Sequence, residues 1–269
     1  MNKQGPKGIE WTDYTWSPIS GCRHSCGYCY ARRMATRFEG KAFPNGFMPT
    51  FYPERLTEPA KVKRPSKIFV GSMGDLFGDW DWANATGYHR VDGDRVIEEV
   101  LQIVRECPQH TFQFLTKNPK RYQGIDFPAN AWVGTSVENQ AAAEQRIPIL
   151  LQATAKVRFV SVEPLLGPVD LSNWINAAWW AEQEQVTIRD GLTGRVIGTR
   201  PGHTGWHHVS KGKYDLSWVI IGGETGPGAK PVNPEWADSL IQQLRAANVP
   251  TFLKDNLHLA EQIREFPLA

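Results

Sequence analysis

Cys22-Arg23-His24-Ser25-Cys26-Gly27-Tyr28-Cys29 puts three thiols within eight residues, in C-x3-C-x2-C spacing. Three thiolates on one short loop can ligate three irons of a four-iron, four-sulfur cluster. The fourth cysteine, Cys107, falls on the apolar face of a predicted helix and reads as a small buried residue. One iron is then left open, and an open metal position is where substrate or cofactor binds. Zinc is the competing use, since it takes three Cys and one His, with His24 as the fourth ligand. His24 stands two residues from each of two cysteines, which is cramped for a closed tetrahedron. On the zinc alternative the chain is a nucleic-acid-binding module without catalysis.

Composition narrows the rest. The chain has 269 residues, 41% hydrophobic and 22% charged, which disfavours disordered, collagen-like and coiled-coil classes. Lys+Arg 30 against Asp+Glu 28 leaves +2, no global signal for nucleic acid. Arg32, Arg33 and Arg37 form a local basic group beside the cysteines, either a phosphate contact or a solvated helix face. Four cysteines are too few for a disulfide scaffold, and their clustering argues for metal. No apolar run approaches the ~18 residues of a membrane span. The first residues lack the apolar core of a signal peptide, so the expected location is the cytoplasm.

The elements that must position the cysteines alternate between strand and helix. Strands are expected at 15–21, 67–71, 111–116, 132–136, 157–162, 218–221 and 250–254. Helices are expected at 31–38, 95–107 with Asp94 as cap, 140–151 and 234–248. Residues 40–66 read as loop. Repeated β-then-α order predicts an α/β fold with a parallel sheet and right-handed crossovers. Six or seven such units can close into a barrel or leave it partly open. Residues 172–215, with Trp174, Trp179, Trp180, Trp206, His203, His207 and His208, break the pattern. They read as an inserted, hairpin-containing subdomain within a domain built from 1–171 and 216–269.

In such sheets ligands sit at the carboxyl ends of the strands. Polar residues gather there: Ser72 to Asp75, Thr116-Lys117, Ser136 to Asn139, Ser161 to Glu163 and Gly222 to Thr225. Ser136 and Glu138 point the same way on a strand. Glu163 is a candidate contact to substrate or cofactor, or one half of a buried ion pair. Gly223 and Glu224 lie in a Gly-rich loop without phosphate-loop spacing. Such a loop allows close backbone approach to a ligand, or is a plain turn.

The cysteine spacing, with Tyr28 just before the third thiol, resembles the radical S-adenosylmethionine superfamily. The resemblance implies a partial (β/α)6-type barrel and a [4Fe-4S] cluster held by Cys22, Cys26 and Cys29. It implies that the open iron chelates the amino and carboxylate groups of S-adenosyl-L-methionine. The reduced cluster then passes an electron to the sulfonium, the C5′–S bond breaks, and a 5′-deoxyadenosyl radical abstracts hydrogen from the substrate. An external electron donor of flavodoxin or ferredoxin type follows. By the same resemblance Ser72, Gly74 and Asp75 form the loop that takes the ammonium, with Asp75 accepting. Lys117 pairs with the carboxylate. Ser136 and Glu138 hold ribose or carboxylate, and Tyr28, Glu163, Gly223 and Glu224 complete the cofactor contacts.

Two families are similar within that superfamily. Spore photoproduct lyase shares the order of cysteines, Ser/Asp loop, Thr-Lys, Ser-containing strand and an Arg-Ile helix, here Arg146-Ile147. Its additional hydrogen-donating cysteine has no counterpart, because no Cys lies between 30 and 106. The whole chain more closely resembles the phage gene-product 37 and 68 family of radical enzymes. Matching segments are Ile9-Glu10-Trp11-Thr12, Trp16-Ser17-Pro18, Cys29-Tyr30-Ala31, Asp75-Leu76-Phe77, Ser161-Val162-Glu163-Pro164-Leu165 and Gly222-Gly223-Glu224. That resemblance implies hydrogen abstraction from an amino-acid-modified, glycinyl-type thymine in phage DNA. The outcome is isomerisation, in the host cytoplasm for a phage-encoded chain.

Overall fold

Short β-branched and aromatic runs, each too brief to be a helix, supply the sheet strands. The computed structural model describes residues 1–5, 8–86, 89–175, 188–189, 196–198 and 215–268. In chain order the first elements are β1 (Asn2–Lys3), β2 (Tyr14–Trp16), β3 (Ile19–Ser20), α1 (Tyr30–Arg37), β4 (Thr50–Phe51), β5 (Lys67–Val70), β6 (Trp82–Asn84) and β7 (Arg90–Val91). Then follow α2 (Gly93–Glu106), β8 (Thr111–Thr116), β9 (Ala131–Ser136), α3 (Gln140–Leu150) and β10 (Val157–Val162). The last are β11 (Ile188–Arg189), β12 (Val196–Gly198), β13 (Trp218–Ile221), α4 (Pro234–Ala246) and β14 (Thr251–Leu253).

The main sheet has eight strands in the order β1-β2-β5-β8-β9-β10-β13-β14. Only β1 is antiparallel; the other seven run parallel and follow one another in chain order. The class is therefore mixed α/β with a mostly parallel sheet, as alternation predicts. Among the described residues no ladder joins β14 to β1 or β2, so the sheet is open. The β14 edge is covered by the C-terminal segment, where the Leu253 N–H donates to the Ile263 carbonyl at 2.9 Å.

The two faces of this sheet are buried differently. Alternate strand residues Ile68, Val70, Phe112, Phe114, Val133, Val160, Val162, Val219 and Ile221 pack with the apolar stripes of α2, α3 and α4. The residues of opposite parity are Phe69, Trp132, Phe159, Trp218, Ile220 and Phe252, joined by Trp11. No helix residue belongs to that second cluster. Trp218 is its centre, with ring contacts to Trp11, Trp132, Phe159, Phe252 and Phe266 at 5.3–6.3 Å.

Some expectations change. The 15–21 stretch is two strands in two sheets. Pro18 breaks it because it has no N–H for a ladder, and its carbonyl instead takes the Tyr52 N–H at 2.8 Å. From there β3 joins a second sheet in the order β3-β4-β6-β7, partly within the expected loop at 40–66. Strands of two or three residues carry no readable periodicity. Helix α2 is capped by Asp92, not Asp94; the Asp92 carboxylate accepts from the Arg95 N–H at 2.9 Å. In the 172–215 segment β11 and β12 pair antiparallel, and Trp174 packs against the main core. Trp179, Trp180, Trp206, His203, His207 and His208 lie outside the described residues. No described helix is long and apolar enough to cross a membrane.

Candidate functional site

The cysteine loop hangs between β3 and α1 and is pinned at both ends. At its start Gly21 bridges Gly74, with the Gly21 N–H donating to the Met73 carbonyl at 2.8 Å. A Cβ on Gly74 would stand 2.6 Å from the Gly21 carbonyl oxygen, so only glycine permits this approach. Inside the loop Ser25 takes a left-handed φ of 57°. At its end Cys29 caps α1, its sulfur accepting from the Arg32 N–H at 3.3 Å. Burial pushes the Cys22 thiol up to about 11 without metal, and the nearby Asp75 charge pushes the same way.

Asp75 anchors the loop. Its Oδ2 accepts from His24 Nε2 at 2.8 Å, Thr116 Oγ1 at 2.9 Å and the Lys117 N–H at 3.0 Å. Its Oδ1 accepts from the Phe77 N–H at 3.0 Å. Three donors crowd Oδ2 and one reaches Oδ1, so among the described residues Oδ1 keeps an acceptor position. These bonds fix the cysteine loop on the ends of β5 and β8. His24, the fourth ligand of the zinc alternative, turns its Nε2 to Asp75. Among the described residues no three of His, Cys, Asp and Glu converge on a position for a single ion.

Beyond β9, Glu138 gathers a dense charge cluster. Its Oε1 accepts from the Tyr28 hydroxyl at 2.5 Å and meets Lys117 Nζ, while Oε2 meets Arg146 Nη1 at 2.8 Å. Lys117 Nζ also donates to the Tyr28 hydroxyl at 2.7 Å, and Arg146 to the Ser136 carbonyl at 2.7 Å. Burial pulls the Lys117 ammonium down to about 8, with the nearby Arg146 charge acting the same way, and burial lowers the Arg146 guanidinium. Burial raises the Tyr28 phenol, which stays a neutral donor.

Across the site Glu163, just past β10, pairs with Lys254, just past β14. The two glutamates end identical triplets, Ser136-Val137-Glu138 and Ser161-Val162-Glu163. Ser136 and Ser161 are register partners on neighbouring strands.

All three cysteines open into one cavity of about 720 Å³ at the carboxyl ends of the strands. Tyr28, Ser72, Gly74, Asp75, Lys117, Ser136, Glu163, Gly223 and Glu224 line it too. Glu138 stands behind Tyr28 and Lys117, and does not line it. Trp11, Phe69 and Leu115, from the ring-filled face of the sheet, form its apolar wall. Ser72 is held by Ser17, their hydroxyls 3.3 Å apart, and its carbonyl accepts from the Tyr30 hydroxyl. Gly223 is clamped by Asn256, whose side chain accepts from the Gly223 N–H at 3.0 Å and donates to its carbonyl at 2.9 Å. Glu224 turns back on its own loop, accepting from the Lys230 N–H at 3.0 Å. Cys107 is buried in the main core, as its helix face predicts.

Sequence reasoning missed Lys254, the His24–Asp75 contact and the electrostatic role of Arg146. Lys254 carried the usable signal, a polar residue directly after an apolar strand. The other two depend on contacts between distant segments.

A family model described as "Protein of unknown function (DUF5131)" matches residues 6–264. No curated protein and no solved structure matches the chain. With nearly its whole length covered, the chain belongs to the DUF5131 family.

Proposed function

We propose that this chain is a radical S-adenosylmethionine enzyme whose Cys22, Cys26 and Cys29 hold a [4Fe-4S] cluster. The observation that carries the reading is the opening of all three thiols into one charged cavity at the strand ends. The donor set fits a polynuclear centre: three half-buried thiols line one cavity, and each corner takes one thiolate. His24, turned to Asp75, weakens the zinc alternative. The strand order supports a partial (β/α)6-type barrel. Successive parallel strands with helices packed on one face, and a second face filled by its own rings, are what a curled sheet produces.

When bound, the cluster supplies the electron that cleaves S-adenosylmethionine to a 5′-deoxyadenosyl radical. The chain's part is to bind, orient and exclude water. Asp75, through His24, fixes the thiol loop. Lys117, backed by Glu138, Arg146 and Tyr28, offers a cation for the cofactor carboxylate beside Cys26. Ser72, Gly74, Gly223 and Glu224 offer backbone and side-chain acceptors around the same space. Trp11, Phe69 and Leu115 keep one wall dry, which protects a radical from quenching by solvent-borne donors. The substrate in this reading is an amino-acid-modified thymine of phage DNA, isomerised after hydrogen abstraction in the host cytoplasm. A flavodoxin- or ferredoxin-type donor supplies the electron. A photoproduct lyase is disfavoured by the lack of any Cys between 30 and 106.

The test is anaerobic reconstitution with iron and sulfide. About four irons per chain are expected, with a broad cluster absorbance and 5′-deoxyadenosine formed on adding dithionite and S-adenosylmethionine. A single bound zinc, or a fully loaded protein that makes no 5′-deoxyadenosine, overturns the proposal.

A further inference from the structure

Two Ser-Val-Glu triplets sit side by side at the ends of β9 and β10, and each glutamate meets a lysine from another strand end. Their hydrogen-bond inventories differ. Glu138 is occupied on both oxygens by Lys117, Tyr28 and Arg146. Glu163 accepts, among the described residues, from Lys254 alone and on one oxygen only. Among the described residues Lys254 in turn donates only to Glu163, which leaves two of its three N–H groups for other partners. Both side chains are largely buried, 22% and 11% exposed, and both face the cavity. The remaining valences of the pair therefore face the cavity, where water or a ligand can take them. The neighbouring glycine is shaped to the pair: a Cβ on Gly222 would stand 2.9 Å from Lys254 Cδ and 3.1 Å from Glu163 Cδ.

We propose that Glu163 and Lys254 are the seat for a second ligand bearing both an amino and a carboxylate group. The ammonium goes to the free carboxylate oxygen of Glu163 and the carboxylate to the spare N–H groups of Lys254. A cation alone would strand Lys254, and an anion alone would strand Glu163. An amino-carboxylate exchanges one internal pair for two external ones with no net change of charge. The apolar wall of Trp11, Phe69 and Leu115 takes the ligand's uncharged part. Naming this ligand the substrate rests on the radical-enzyme reading; the binding chemistry does not.

The test is ligand-observed NMR and calorimetry with the free standard amino acids at about 10 mM, then the N-acetyl and amide forms of those that bind. It is run on the C22A/C26A/C29A variant and on the reconstituted protein saturated with S-adenosylmethionine. In both proteins at least one free amino acid is expected to bind. Its N-acetyl and amide forms are expected to bind about tenfold or more weakly, as the exchange of charges requires. E163Q and K254M each abolish this binding, while circular dichroism and urea midpoint report that they stay folded. The proposal is overturned if no free amino acid binds or if the blocked forms bind equally well. It is also overturned if the amino acid displaces S-adenosylmethionine one for one, which assigns the seat to the cofactor. Binding together with failure of the wild-type chain to assemble a cluster refutes the radical-enzyme reading alone. S-adenosylmethionine cleavage without binding refutes this inference alone.

Discussion

The station at Glu138 and the station at Glu163 are built from the same three residues on adjacent strands, yet they do opposite jobs. Glu138 is held by a lysine, an arginine and a tyrosine, all from other segments, and it lies behind the cavity wall. Glu163 has one partner among the described residues and stands in the cavity. Equal sequence thus gives a saturated, wall-building carboxylate in one place and an unsaturated, ligand-facing one in the other. What decides is the number of donors that the surrounding fold sends to each.

The largest expected effect breaks the saturated station. Glu138→Ala leaves Lys117 and Arg146 as buried cations without their carboxylate, at a cost of about 3–5 kcal/mol. Urea unfolding measures it, and a loss below about 1 kcal/mol contradicts a saturated station. Next comes the anchor beside it. Asp75→Ala strands the Thr116 hydroxyl and the N–H groups of Lys117 and Phe77, for about 3 kcal/mol. It also frees His24, so iron retained after gel filtration is expected to drop well below wild type. Unchanged iron retention denies the anchoring role.

The unsaturated station sharpens the contrast. Glu163→Gln is expected to shift stability by only about 1 kcal/mol, because the pair stands in an open cavity where water reaches both heads. A loss as large as that for Glu138→Ala would make the two stations equivalent and erase the comparison. The smallest effect is at Gly222. Gly222→Ala places a methyl 2.9 Å from Lys254 Cδ and 3.1 Å from Glu163 Cδ, and these flexible stems yield at about 1 kcal/mol, the low end for overpacking. Its readout is the ratio of amino-acid affinity to stability: affinity falls while the urea midpoint barely moves.

Much of this was legible in the chain. Strands at 111–116, 157–162 and 218–221 stand where their apolar runs place them, and the buried Cys107 follows from helical spacing. Strand-end polarity found both glutamates, because in a parallel sheet every strand delivers its last side chains to the same end. The pairing of Glu138 with Arg146 was hidden, since an arginine on a helix reads equally well as solvated. The four hydrogen bonds of Asp75 were hidden, because they arise only when the cysteine loop, β5 and β8 meet. The second sheet was illegible because strands of two residues have no period.

The most direct measurement is electron paramagnetic resonance of the anaerobically reconstituted, dithionite-reduced protein, recorded before and after adding S-adenosylmethionine. A [4Fe-4S] centre held by only three thiols gives a reduced-cluster signal that changes when the sulfonium compound binds at the vacant iron, and C29A abolishes it. A signal indifferent to S-adenosylmethionine, or a protein that takes up one zinc and no iron, contradicts the assignment of Cys22, Cys26 and Cys29.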